Sequence, residues 1–347
     1  MKLEKIIWSD VTFTKGKEMS SDEILRTEHL KKYFPVEKGF LERLLTSTKR
    51  FVKAVDDVSF SISKGEVFTL VGESGCGKST TGRLVVRLIQ PTSGKVFFGQ
   101  ENITDMKKKE FRIYRRKLQI IFQDPYASLN PRMRIGRAVG HPLEIHGLAK
   151  GVEERQRVNE ILQRVGLTPP EQFTNLYPYQ ISGGQRQRVA MARSLILDPE
   201  FIVADEPVSM IDVSLRTTII DLMLDLRRDL DLTYLFITHD LAIAKYISDR
   251  IAIMYLGKIV EMGEKHEVFS NPLHPYTQAL MSAIPVPNPE RKRTAIELKG
   301  EVPSAINIPR GCRFNPRCPY AEERCKVEPE LTAVKPGHLV ACCRTEN

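Results

Sequence analysis

Gly72-Glu73-Ser74-Gly75-Cys76-Gly77-Lys78-Ser79 follows an apolar stretch at 66–71 and precedes a segment with helical spacing, Leu84, Val85 and Leu88 falling on one side. No other feature constrains the fold as much, because the G-x4-G-K-[ST] pattern works only as a loop between a buried strand and a helix. Backbone N–H groups of such a loop point inward, and the helix N-terminus adds partial positive charge, so a polyphosphate is favoured there. Gly72, Gly75 and Gly77 let the backbone wrap without side-chain clash. Lys78 is placed to reach the β- and γ-phosphates, and the Ser79 hydroxyl to ligate Mg²⁺. Cys76 stands at a variable position and reads as a small filler.

The surrounding pattern agrees. Val58, Phe60 and Ile62 alternate with polar residues and predict a strand with one buried face. Strands are expected at 66–71, 95–98, 118–122, 201–204, 234–237, 251–256 and 258–262, and helices at 78–89, 185–197, 214–230 and 240–247. Residues 131–180 carry helical patterns broken by Gly147, Pro169–Pro170 and Pro178. Strands alternating with helices predict an α/β fold with a largely parallel sheet. The strand at 201–204 delivers Asp205 and Glu206 to its C-terminal edge, where ligands bind in parallel α/β sheets. Asp205 suits Mg²⁺, and Glu206 is placed to orient or deprotonate an attacking water.

Composition excludes several classes. With 347 residues, 41% hydrophobic and 27% charged, the chain is neither disordered nor a coiled coil, and no apolar run approaches a membrane span. The net charge of +9 permits nucleic acid, lipid headgroups or nucleotide and selects none of them. Lys2, Glu4, Lys5 and Asp10 do not suit a signal peptide. Met19 offers a second start, so residues 1–22 are expected to form a loose N-terminal extension.

Ile181-Ser182-Gly183-Gly184-Gln185 is a third constellation, a Ser-Gly-Gly nest for an anion at a helix start. With this, the chain resembles the nucleotide-binding subunits of ABC (ATP-binding cassette) transporters over roughly 24–264, with Ile181 in place of the usual Leu. The resemblance implies a P-loop ABC ATPase domain at 23–264, a RecA-like core plus a helical subdomain at about 131–180. It implies ATP contacts from Tyr33, with Phe34 as a rival, and from Gly72 through Thr80. It implies catalytic roles for Glu206, His239 and Gln123, Mg²⁺ held by Ser79, Gln123 and Asp205, and a dimer contact at Asp212. Ser182, Gly183, Gly184 and Gln185 would meet the nucleotide of a second subunit. Residues 123–131 resemble the extended Q-loop of oligopeptide/dipeptide/nickel importers, and Asn271-Pro272-Leu273-His274-Pro275-Tyr276-Thr277 resembles the element that opens their C-terminal extension, while Pro207-Val208-Ser209 and Asp212-Val213-Ser214 resemble the second of their two ATPase paralogues. The implied partners are a paralogous ATPase subunit, two transmembrane permease subunits and, indirectly, an extracytoplasmic solute-binding protein. No nucleic acid is expected, and the implied location is peripheral, on the cytoplasmic face of the membrane. A soluble ABC ATPase acting on nucleic acid or ribosomes is the alternative.

Beyond residue 264 prolines accumulate, and a small C-terminal Cys-rich extension at 265–347 is expected. Five of six cysteines fall there, and disulfides do not suit a reducing cytosol. Four thiolates from Cys312, Cys318, Cys325 and Cys342 suit Zn²⁺ or an iron–sulfur cluster. No closely spaced pair of the zinc kind occurs, and Cys318-Pro319 matches a ferredoxin step. Arg310, Arg313, Arg317 and Arg324 would offset an anionic cluster. The extension resembles that of peptide-importer subunits, some of which hold a 4Fe–4S cluster, with Cys343 as a substitute for Cys342.

Overall fold

The computed structural model describes residues 22–36, 50–283, 296, 298 and 300–345. The expected N-terminal extension and the start at Met19 lie outside the described residues, Asp22 excepted. The chain divides into two compact units, Met1–Ser63 with Phe68–Asp105 and Thr238–Asn347, and Lys64–Val67 with Met106–Ile237. Strands and helices alternate as the α/β reading predicts.

The first unit holds a four-stranded antiparallel sheet. Its strand Glu23–Pro35 pairs with Phe51–Ser63 on one side and Ser93–Phe98 on the other, and Glu101–Asn102 closes the edge. Periodicity did not mark Glu23–Pro35, because a bulge interrupts its alternation. His29 and Asp57 both sit at positive φ, and their side chains meet at 2.8 Å. Val67–Val71 runs parallel to Arg250–Tyr255 with Val71 beside Ile253. Arg250–Tyr255 pairs antiparallel with Lys258–Glu264, which in turn takes His338–Val340 as a neighbour. The far C-terminus therefore adds strands to this sheet rather than forming loops alone. One core joins them. Tyr255, Tyr276 and Phe314 are at most 1% exposed, with ring centroids 4.7–5.4 Å apart. Beside it the buried Glu261 accepts from the Leu273 and His274 N–H groups and pairs with His338 at 2.8 Å. His274 Nδ1 accepts the Tyr276 N–H and caps the helix Pro275–Ser282.

The second unit holds Leu118–Ile121, Phe201–Asp205 and Thr233–Thr238 as parallel neighbours. Phe201–Asp205 is buried at every position, as a parallel strand covered on both faces should be. The helices Ile135–His146, Val152–Arg164, Pro170–Thr174 and Gly183–Leu195 pack on one another. The sequence breakers fall at their ends: Gly147 closes the first in the left-handed region, and Pro170 opens the third.

Candidate functional site

In the first unit the phosphate loop leaves Val67–Val71 and enters the helix Lys78–Val85. Gly77 is at φ 111°, and a Cβ there would lie 2.1 Å from the Ala54 carbonyl oxygen. At Gly72 a Cβ would lie 2.2 Å from the Met254 carbonyl oxygen, so neighbouring backbone fixes both as glycine. Lys78 is buried, and its Nζ donates to the Gly72 and Glu73 carbonyls at 2.7 and 3.0 Å. The loop thus holds the ammonium at its own centre. Burial pushes the Cys76 thiol up against the opposing pull of Lys78, which fits a filler and not a nucleophile.

Tyr33 is tied by its hydroxyl to Asp56, and Asp56 also receives the Arg313 guanidinium. Burial works against the Asp56 charge, yet the hydrogen bonds from Tyr33 and Arg313 hold its carboxyl below the ordinary range. Phe34 beside it is more exposed. His239 is exposed, one residue before Asp240, which caps the helix Leu241–Ile247 by accepting from Ala242 and Ile243.

In the second unit the structure brings Gln123 and Glu206 together. Gln123 Nε2 donates to Glu206 Oε2 at 2.9 Å. Asp205, 2% exposed, ends the buried strand, and Glu206 follows at φ 48°, a strained position for a side-chain-bearing residue. Its own N–H bonds the Ile237 carbonyl at 2.9 Å, which holds the turn.

Ser182 and Gln185 form a reciprocal capping box at the start of Gly183–Leu195. Ser182 N–H reaches Gln185 Oε1 at 3.0 Å, and Gln185 N–H reaches Ser182 Oγ at 3.3 Å. The S-x-x-Q spacing carries that signal in the sequence. Gly183 and Gly184 are the first two residues of that helix. Asp212 is exposed at the start of Val213–Leu230, where its side chain makes no capping bond. Arg186 lies 3.7 Å from the Tyr126 ring centroid, and Arg193 donates to the Ser128 carbonyl. The segment after Gln123 is thereby docked on the Ser-Gly-Gly helix, a contact no local pattern announced.

The metal centre expected at Cys312, Cys318, Cys325 and Cys342, iron–sulfur or zinc, finds no support. Among the described residues no group of three or more His, Cys, Asp or Glu side chains is placed to hold a metal ion. Cys325 Sγ instead stands 3.0 Å from Cys343 Sγ. Burial, with neighbouring thiols adding to it, pushes the Cys343 thiol up, and burial pushes the Cys312 thiol up. Two of the arginines turn elsewhere, Arg313 to Asp56 and Arg317 to Glu73, while Arg324 engages Glu322 and stays close enough to Cys342 and Cys343 for its charge to pull against the burial of their thiols.

Comparison with known proteins bears on the family. The family described as ABC transporter matches residues 55–209, and the family described as oligopeptide/dipeptide transporter, C-terminal region, matches residues 260–325. The oligopeptide transport ATP-binding protein AppF of Bacillus subtilis is 48% identical over 327 residues, 93% of this chain and 98% of that protein. The dipeptide transport ATP-binding protein DppF of Haemophilus influenzae is 46% identical over 92% of this chain and 96% of that one. Among solved structures, a dimeric ATP-binding cassette bound to ADP and Pi in a post-hydrolysis state superposes with a TM-score of 0.60 at 30% identity, covering 70% of this chain and 98% of that one.

Proposed function

The chain belongs to the ABC transporter ATP-binding proteins that carry the oligopeptide/dipeptide transporter C-terminal region, and on that premise we propose that it is the ATP-hydrolysing subunit of an importer for peptides or similar small solutes. The observation that carries the chemistry is the Gln123–Glu206 hydrogen bond at the end of a fully buried strand. An amide that aims a carboxylate leaves it suited to orient a water and take its proton. Residues Gly72 through Thr80 would cradle the phosphates. Tyr33, or the more exposed Phe34, would meet the adenine, and His239 the γ-phosphate. The Ser79 hydroxyl, the Gln123 amide oxygen and the Asp205 carboxylate are the hard oxygen donors that Mg²⁺ prefers. Bound there, Mg²⁺ would offset the charge of the phosphate oxygens.

Ser182, Gly183, Gly184 and Gln185 would serve the nucleotide of a partner cassette, with Asp212 at the contact. Support comes from Met210 and Val213 flanking that aspartate, 61% and 75% exposed, an apolar pair suited to a protein face. The partner would be a paralogous subunit. Two permease subunits, and a solute-binding protein beyond them, would complete the importer. The division into a cassette at 23–264 and an extension at 265–347 belongs to the same proposal. Among the described residues no helix is long and apolar enough to cross a membrane. In this reading the chain would sit peripherally at the cytoplasmic face, held by the permease. The nucleic-acid alternative is set aside, since the relatives named above are transport proteins.

Glu206→Gln tests the assignment. It should keep ATP binding and lose at least about a hundredfold in turnover in the assembled complex, because an amide takes no proton from water. Equal turnover of variant and wild type would remove Glu206 as the base.

A further inference from the structure

Within the first unit, the C-terminal third of the chain reaches the phosphate loop at several points. Tyr276 Oη accepts the Glu73 N–H at 3.0 Å. Arg317 clasps the Glu73 carboxylate with both Nη atoms, at 2.9 and 3.2 Å. Val302, Pro303 and Ala305 line a cavity of about 190 Å³ together with the loop residues Ser74 and Gly75. The Ala305 carbonyl also accepts the Lys53 N–H at 3.1 Å. Arg317 is 7% exposed and its guanidinium lies 5.9 Å from the Tyr255 ring centroid, so its place is set by the aromatic core.

Glu73 occupies a position that the loop pattern leaves variable. It puts a carboxylate second in a loop built to receive a polyanion, and like charges at close range in a partly buried site are weakly screened. A bidentate guanidinium cancels that charge and holds the carboxylate in one orientation, which an ammonium would do less well. We propose that Arg317 is a positioning residue for the nucleotide: by neutralising and fixing Glu73, it lets the C-terminal extension set the affinity of the phosphate loop for ATP. This rests on the reading of that loop as an ATP site and adds a determinant that the loop motif does not contain.

The test uses the full-length chain and ATP binding measured by calorimetry, with circular dichroism to verify the fold. Arg317→Ala, and Arg317→Gln as a variant of more similar size, should each weaken ATP about tenfold, because an unpaired carboxylate then faces the phosphates. The loss should largely persist on raising salt from about 0.05 to 0.5 M, since a close pair in a partly buried site is weakly screened. In a Glu73→Gln background, Arg317→Ala should cost less than about twofold, because no charge is left to neutralise. Unchanged affinity in both Arg317 variants would overturn the proposal. So would a double variant as weakened relative to Glu73→Gln as Arg317→Ala is relative to wild type, since Arg317 would then only staple the extension. Wild-type protein that binds no ATP would overturn the underlying reading of the loop, an outcome distinct from both.

Discussion

Arg313→Ala should destabilise the first unit by an amount the structure allows to be worked out. Arg313 is 6% exposed, donates to the Asp56 carboxylate and the Leu256 carbonyl, and reaches Glu328 at 3.4 Å through Nε. Removing one partner of a buried ion pair costs about 3–5 kcal/mol, because the other charge stays buried. Asp56 would keep the Tyr33 hydroxyl and Lys53 at 3.7 Å, which lowers the cost. The Leu256 carbonyl would lose its guanidinium donor, which adds about 1 kcal/mol. The sum is about 3 kcal/mol, read as a shift of the urea midpoint by far-ultraviolet circular dichroism. The acid limb offers a second check. The folded state holds the Asp56 carboxyl below its unfolded value, so its contribution is complete above about pH 4 and fades as pH falls below that. The gap between wild type and Arg313→Ala should therefore narrow below about pH 4. A loss under about 1 kcal/mol at pH 7, or a gap that widens in acid, would refute the reasoning.

Two further outcomes follow from single capping residues. Ser182→Ala removes the side-chain half of the capping box and should cost about 1 kcal/mol, measured by urea unfolding, while Ser182→Asp, another good cap, should cost less. His274 is fully buried, and burial pushes its pKa down to about 4, with Glu261 opposing. Its unfolded form takes up a proton as pH falls below about 6.5 while the folded form does not, so wild-type stability should fall between about pH 6.5 and 4. His274→Asn, which keeps a capping acceptor, should flatten that limb, and an unchanged slope would count against a neutral buried His274.

The sequence made the phosphate loop legible because its glycines answer to close backbone approach, as at Ala54 and Met254, and that requirement survives in any context. The buried strand ending in Asp205 and Glu206 was legible for a similar reason, since an all-apolar run that stops at two acids has few readings. Tyr33 and His239 were not legible from local pattern. A tyrosine in a strand and a histidine after one carry no period, and both came from family resemblance. The strand Glu23–Pro35 escaped because its bulge at His29 breaks the alternation that would mark it.

The C-terminal extension shows where local reading stops. Its arginines were expected to surround a metal cluster, on the strength of four cysteines interleaved with them. Arg313 instead bonds Asp56, 257 residues away, and Arg317 bonds Glu73, 244 residues away. Pairings of that span leave no trace in spacing. Each arginine adjoins a cysteine in sequence, Cys312 before Arg313 and Cys318 after Arg317. Cys312 and Cys318 pack against the core around Tyr255 and Phe314, and the arginines beside them reach charged partners, Arg317 across the Tyr255 ring. The segment that carries these thiols also brings two guanidinium groups to Glu73 of the phosphate loop and to Asp56 beside Tyr33. Two long-range ion pairs of the extension thus end at Asp56 and at Glu73 of the phosphate loop, while Cys312 and Cys318 pack against the aromatic core.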